Sequence, residues 1–146
     1  MRPTSLTYSG AVGAPIEEVF ALLTDPNRFP EWLPYCHAVK PALRPNRKGE
    51  RHRLMFQNAK RKTTVEIEII EFTPPTGYGW VELQHRAGSK TFFKLQFAGG
   101  ATLVSMKHVW TPPTWRAWLL GQLYRRRGAH RMFDGLLQNL RKVLTH

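Results

Sequence analysis

The chain has 146 residues, of which 42% are hydrophobic and 12% aromatic, and its formal net charge is +12. This length suits one domain with a buried core, the composition argues against disorder, and no apolar run approaches the roughly 20 residues of a membrane span. The single cysteine, Cys36, excludes an internal disulfide, and the N-terminus lacks the apolar stretch of a secretory signal. We therefore expect one cytoplasmic domain over residues 1–146.

The first predicted elements are a strand and two short helices. Residues 4–12, TSLTYSGAV, alternate in the period of a strand. Residues 14–25, APIEEVFALLTD, change to a helical period with Pro15 at the first turn. In residues 25–36, DPNRFPEWLPYC, Asp25 can cap a turn and the three prolines start and stop it, which predicts a second short helical segment with rigid ends.

Six further strands and one long helix complete the pattern. The strands are predicted within residues 35–43, 50–58, 63–72, 78–86, 90–98 and 101–110. The short turns between them indicate an antiparallel meander. From Pro113 a helical period continues for about thirty residues, which predicts a helix from near 113 to near 142. A curved antiparallel sheet with this helix across its concave face would bury the apolar faces of both, which makes the fold class α+β.

The segment APIEEVFALLTDPNRFPEWLP, the meander, GGATLVSMKHVW and the long terminal helix resemble the START-like SRPBCC superfamily. The likeness is to its polyketide cyclase/dehydrase type, with coenzyme-Q-binding relatives nearby. The resemblance implies a helix-grip fold, in which a seven-stranded curved antiparallel sheet wraps around the C-terminal helix and two short helices lie between strands 1 and 2. It also implies an apolar cavity between sheet and helix, but it supplies no shared catalytic residues.

Motifs of established chemistry are absent from the sequence. It has no cysteine pair, no HExxH, no GxSxG and no GxxxxGK[ST], so neither a metal site nor a cofactor is predicted. Cys36 and His37 are adjacent on a predicted strand and should point to opposite faces, which separates a nucleophile from its base.

Polar residues on faces that otherwise look interior are the best candidates for a site. His108 shares a face with Met106, His52 shares one with Leu54, and Gln122 and Arg126 lie on the sheet-facing side of the long helix. For each residue alone, a satisfied core histidine or an arginine that reaches water is the stronger explanation. Their coincidence in one cavity favours a functional role.

The site prediction combines these polar residues with an apolar lining. Arg126, assisted by Gln122 and His108, is expected to hold an oxygen of the ligand, and His108 and His52 are the candidate catalytic residues. Trp32 either plugs the corner beside the short helices or walls the cavity entrance. The predicted ligand-binding residues are Trp32, Leu54, Phe56, Val81, Phe93, Leu95, Met106, His108, Trp110, Gln122 and Arg126.

Three functions fit the sequence. The first is binding of a small hydrophobic ligand of lipid, polyketide or isoprenoid type, because an apolar pocket with few polar groups suits capture. The second is a cyclase or dehydratase that acts on such a ligand through a histidine. The third is a basic surface protein that contacts an anionic membrane or nucleic acid, although no specific nucleic acid is expected as a partner. A monomer or a homodimer is compatible with all three.

Overall fold

The computed structural model describes residues 4–40, 47–83, 89–110 and 126–144. In chain order, its strands and helices are β1 (Thr4–Val12), α1 (Ile16–Leu23), α2 (Phe29–Trp32), β2 (Cys36–Lys40), β3 (Arg51–Asn58), β4 (Arg61–Thr73), β5 (Gly77–Glu82), β6 (Lys90–Ala98), β7 (Ala101–Trp110) and α3 (Arg126–Leu144).

The strands form one seven-stranded sheet with the order β1-β7-β6-β5-β4-β3-β2, and every neighbouring pair is antiparallel. The meander runs from β2 to β7, and the first strand, β1, pairs with β7 at its far side. The two edge strands of the sheet are therefore β1 and β2. This architecture, with two short helices between β1 and β2, confirms the predicted helix-grip fold. The predicted start of the long helix near residue 113 lies outside the described residues, and α3 continues to Leu144.

The proline-rich corner has local causes that the sequence already contained. The Asp25 carboxylate accepts a hydrogen bond from the Asn27 backbone N–H at 3.0 Å and caps a 3-10 turn over Pro26–Arg28. Pro30 occupies the first turn of α2, where its missing N–H costs no hydrogen bond. The helix ends at Trp32, and its C-cap Leu33 is extended directly before Pro34, which fixes α2 as a single rigid turn.

Helix α3 packs its apolar face on the sheet and runs in the same direction as β1. Phe133, 5.9 Å from Tyr8 between ring centroids, and Leu137, which lies against Gly10, belong to this face. Further along, the Arg141 side chain donates a hydrogen bond to the Ala11 carbonyl at 2.9 Å. Successive residues of α3 thus contact successive residues of β1 in the same order, so the start of α3 lies toward the Leu6 end of the sheet.

None of the described helices is both long enough and apolar enough to cross a bilayer.

Candidate functional site: an apolar interior with one polar end

The floor of the interior is a cluster of aromatic rings from α2, β5 and β6. Phe93 lies 5.7 Å from Trp32 and 5.6 Å from Trp80, measured between ring centroids, and Phe29 lies 5.3 Å from Trp32. The rings of Trp32 and Phe93 are nearly perpendicular, an arrangement that favours aromatic pairs beyond simple burial. The cluster forms because the pleat of β5 and β6 turns alternate residues inward, toward α2.

Part of this inward apolar surface remains accessible. Val65 pairs with the buried Leu54 and therefore faces the interior, and Phe56 shares the Leu54 face of β3, yet both stay half-buried. Met132 on α3 is also half-buried and packs against the core. These three side chains are core-packed apolar residues that the chain does not cover completely.

A cross-strand row that contains two polar residues, His108 and Thr91, crosses the concave face near the start of β1. The cross-strand register aligns Leu6, His108, Thr91 and Trp80 on four neighbouring strands. The Thr91 hydroxyl oxygen lies 3.3 Å from Nδ1 of His108, and the His108 ring stacks on Trp110 at 5.8 Å. These contacts fix the orientation of a half-buried imidazole that faces the interior, as the strand period predicted.

A second row with polar residues lies two residues further along β5, at Glu82. Register places Glu82 and His52 on either side of the buried Ile67, on the same face of the sheet. His52 is 1% exposed, and Ser89, whose carbonyl accepts a hydrogen bond from the Glu82 N–H at 2.8 Å, is 4% exposed. The inward-facing polar residues His108, Thr91, His52 and Glu82 thus lie toward the same end of the sheet.

Glu82 was not identified from the sequence. It stands two residues after Trp80, which faces the interior, so the period of β5 would have placed it there once Trp80 was known to point inward.

The structure brings most of the predicted apolar lining together. Six of the predicted residues are buried: Trp32, Leu54, Phe93, Leu95, Met106 and Trp110. Phe56 and His108 are half-buried on inward faces. Gln122 lies outside the described residues. Arg126 begins α3, near the Leu6 end of β1, and its side chain also lies outside the described part of the chain.

The expectation for Val81 is wrong. Its cross-strand partners are Glu68 and Lys90, so it shares the convex face with two charged residues, while Trp80 points inward in its place. Both residues of the pair Trp80-Val81 are apolar, and the strand period alone could not decide which of them faces the interior.

Cys36 is unsuited to nucleophilic catalysis at neutral pH. Burial raises the pKa of its thiol to about 11, and its 3.7 Å sulfur contact to the Ala38 carbonyl offsets little of that shift. His37 is exposed on the other face of β2, as predicted for adjacent strand residues. Within residues 4–40, 47–83, 89–110 and 126–144, no three His, Cys, Asp or Glu side chains cluster as metal ligands.

The comparisons with known proteins agree with this geometry. Solved structures with the same fold include protein CV1439 from Chromobacterium violaceum, with a TM-score of 0.79, 15% identity and coverage of 97% of this chain and 98% of that one. The Aha1 dimer from Colwellia psychrerythraea has a TM-score of 0.71 at 14% identity, with 97% and 96% covered. Ara h 8.0201 has a TM-score of 0.71 at 10% identity, with 97% and 97% covered.

The protein thus has the helix-grip fold. A family model described as "Polyketide cyclase / dehydrase and lipid transport" matches residues 3–145, and the chain belongs to that family. A search of curated proteins found no match in sequence.

Proposed function

We propose that the protein binds a small hydrophobic molecule of lipid, polyketide or isoprenoid type between the sheet and α3. The observation that supports this most strongly is the division of the concave face into an aromatic floor and a polar end that carries His108 and Thr91. An apolar pocket with a few convergent polar groups is the usual form of a small-molecule site. The family description, which includes lipid transport, fits the same class of ligand.

In this proposal the ligand lies with its apolar body on the aromatic floor and its polar group at the His108 end. Arg126, with Gln122 and His108, holds a ligand oxygen there, because α3 begins near the sheet end that carries His108. A guanidinium that a bound ligand shields from water would require a partner, and a carboxylate or carbonyl of the ligand would supply one. A cytoplasmic location and a monomeric or homodimeric state belong to the same proposal.

A fluorescence titration with N-phenyl-1-naphthylamine tests the binding site. We expect saturable enhancement with the parent protein, reversed by one of three competitors: oleate, decylubiquinone or emodin. Val65→Arg places a charge on the accessible inward surface and should weaken binding by more than tenfold. Thr64→Arg, on the opposite face of the same strand, is the control and should bind like the parent. Absence of binding by the parent, or equal binding by the two variants, would refute the proposal.

The polar anchor is tested separately with a matched pair of competitors, oleate and oleyl alcohol. Arg126→Met keeps much of the side-chain volume and removes the charge, so we expect about a tenfold loss of affinity for oleate and little change for the alcohol. Arg127→Met is the control, because Arg127 is exposed. An Arg126→Met protein that bound both competitors like the parent would place the anchor at His52 or His108 instead.

A second candidate function is that of a cyclase or dehydratase, and the orientation of His108 by Thr91 favours it. A suitable probe is 4-hydroxy-4-phenylbutan-2-one, which loses water to form a conjugated enone with strong ultraviolet absorbance. A histidine that removes the proton from the carbon between the ketone and the hydroxyl-bearing carbon, and returns it to the hydroxyl as that group leaves as water, would balance this reaction. We expect catalysis to disappear in His108→Ala and to persist in His37→Ala, whose histidine is exposed. No acceleration by the parent over buffer would leave binding as the function.

A further inference from the structure

Trp32 is contacted both at its backbone and at its ring. It is 0% exposed, and its carbonyl accepts a hydrogen bond from the Asn139 side chain of α3 at 3.1 Å. Its ring meets those of Phe29 and Phe93 edge to face. The indole therefore sits where α2, α3 and β6 meet, in a fixed orientation.

The indole N–H of Trp32 is buried and has no hydrogen-bond acceptor among the described residues. A buried donor left unpaired carries the full cost of its desolvation, so folded proteins almost always satisfy such groups. The buried Thr102 hydroxyl, by contrast, donates to the Ala14 carbonyl at 2.7 Å. Phenylalanine would fill most of the same space without a donor, so the N–H of Trp32 requires an explanation of its own.

We infer that the Trp32 indole N–H donates a hydrogen bond to a neutral oxygen of the ligand. This inference rests on the proposed function and narrows the ligand to apolar molecules that carry a carbonyl, ether or similar oxygen on their body, as opposed to pure hydrocarbons. A neutral acceptor fits better than a carboxylate, because the surrounding rings of Phe29, Trp80 and Phe93 offer no opposite charge. The nitrogen has almost no accessible surface, so neighbouring side chains must move aside for the ligand oxygen to reach it.

The two anchoring positions are connected through β6. Trp32 packs on Phe93, and Thr91, which contacts His108, lies two residues from Phe93 on the same strand, about 7 Å at the rise of a strand. A ligand with one polar group at the His108 end and a second oxygen further along its body would meet both.

The test compares 9-fluorenone with fluorene, which differ by one carbonyl oxygen on the same tricyclic body. Binding is measured by titration of protein fluorescence for the parent, Trp32→Phe and Trp80→Phe. We expect the parent to prefer fluorenone about tenfold, the size expected for one hydrogen bond to a buried donor. Trp32→Phe should lose that preference. Trp80→Phe is the matched control, since it removes an indole from the same cluster whose nitrogen is not among the unsatisfied buried atoms of the described residues.

A second measurement uses the parent protein alone, in case Trp32→Phe does not fold. The indole N–H resonance of Trp32, assigned through its contacts to the Phe29 and Phe93 rings, should move downfield in the 1H–15N spectrum with fluorenone and not with fluorene. Equal affinity of the parent for the two compounds, or an unmoved resonance, would overturn the inference and leave the proposed function standing. Failure of both compounds to bind the parent would count against the proposed function, and the inference would fall with it.

Discussion

Cys36 shows how the environment of one side chain changes its chemistry. The residue is 6% exposed, and burial raises the pKa of its thiol from an ordinary value of 9.0 to about 11. Because the folded state favours the neutral thiol, its contribution to the free energy of unfolding is complete below pH 9. The contribution is lost as the pH rises from 9 through 11, the window between the unfolded and folded values.

We therefore predict that the parent protein loses more stability at alkaline pH than Cys36→Ala does. Between pH 8 and about pH 10.5 the extra loss should be about 2 kcal/mol, which follows from the difference between the two pKa values. Urea unfolding of both proteins at both pH values measures it, and the comparison cancels the effects of lysine deprotonation and of the smaller side chain. The same pH dependence in the two proteins would show that the thiol is not desolvated.

At the scale of secondary-structure elements, the contact between α3 and β1 depends on a residue without a side chain. A Cβ at Gly10 would collide with the Cδ atoms of Leu137, so the Leu137 side chain occupies the space that a side chain at position 10 would need. Phe133 and Leu137 are both buried, and Phe133 stacks on Tyr8 of β1. Gly128, near the start of the same helix, has open space around it.

Substitution of these two glycines should have opposite effects on the free energy of unfolding. Gly10→Ala should destabilise the fold by about 1–3 kcal/mol through overpacking. Gly128→Ala should stabilise it by about 0.5–1 kcal/mol, because alanine is the better helix former at an exposed position. Chemical denaturation measures both changes. If the cost of Gly10→Ala persisted in a Leu137→Ala background, the collision with Leu137 could not be its cause.

At the scale of the whole molecule, charge is distributed unevenly over the sheet. The strands β1, β6 and β7 contain no acidic residue, and Lys90, Lys94 and Lys107 are exposed there. Their cross-strand positions place all three lysines on the convex face, with Phe92 between them. On the other half of the sheet, Arg51 is already paired with Glu68 at 3.0 Å. The convex face of β6 and β7 therefore carries three of the positive charges that contribute to the net charge of +12, with no acidic residue on the same strands.

This distribution predicts weak, unspecific and salt-sensitive binding of nucleic acid. Changing Lys90, Lys94 and Lys107 together to Gln should reduce the slope of log K against log salt by about 2 for a single-stranded oligonucleotide, because about 0.7 counterions are released per neutralised phosphate. Arg51→Gln with Arg53→Gln is the control, since these arginines lie opposite Glu68 and Glu66 and should change the slope less. Fluorescence anisotropy at several salt concentrations provides the slopes. Sequence-selective binding at physiological salt would contradict the prediction.

Local physics accounts for what the sequence alone determined about this protein. Strand and helix periods predicted all seven strands, the two short helices and the terminal helix, because burial of one face imposes those periods. Asp25 and the prolines predicted the rigid corner, because caps and missing N–H groups act within a few residues. The inward direction of His108 and the opposite directions of Cys36 and His37 likewise follow from the pleat of a single strand.

Only the tertiary structure decided the features that depend on pairing between distant segments. Both Trp80 and Val81 are apolar, so the sequence did not decide which of them faces inward. The cross-strand positions of Glu68 and Lys90 opposite Val81 place Val81 outward and Trp80 inward. The contact of Leu137 with Gly10 and the unpaired N–H of Trp32 have no sequence signature, because each depends on which distant atoms come near. Register and helix docking are set by the summed packing of the whole core, and no local pattern contains that information.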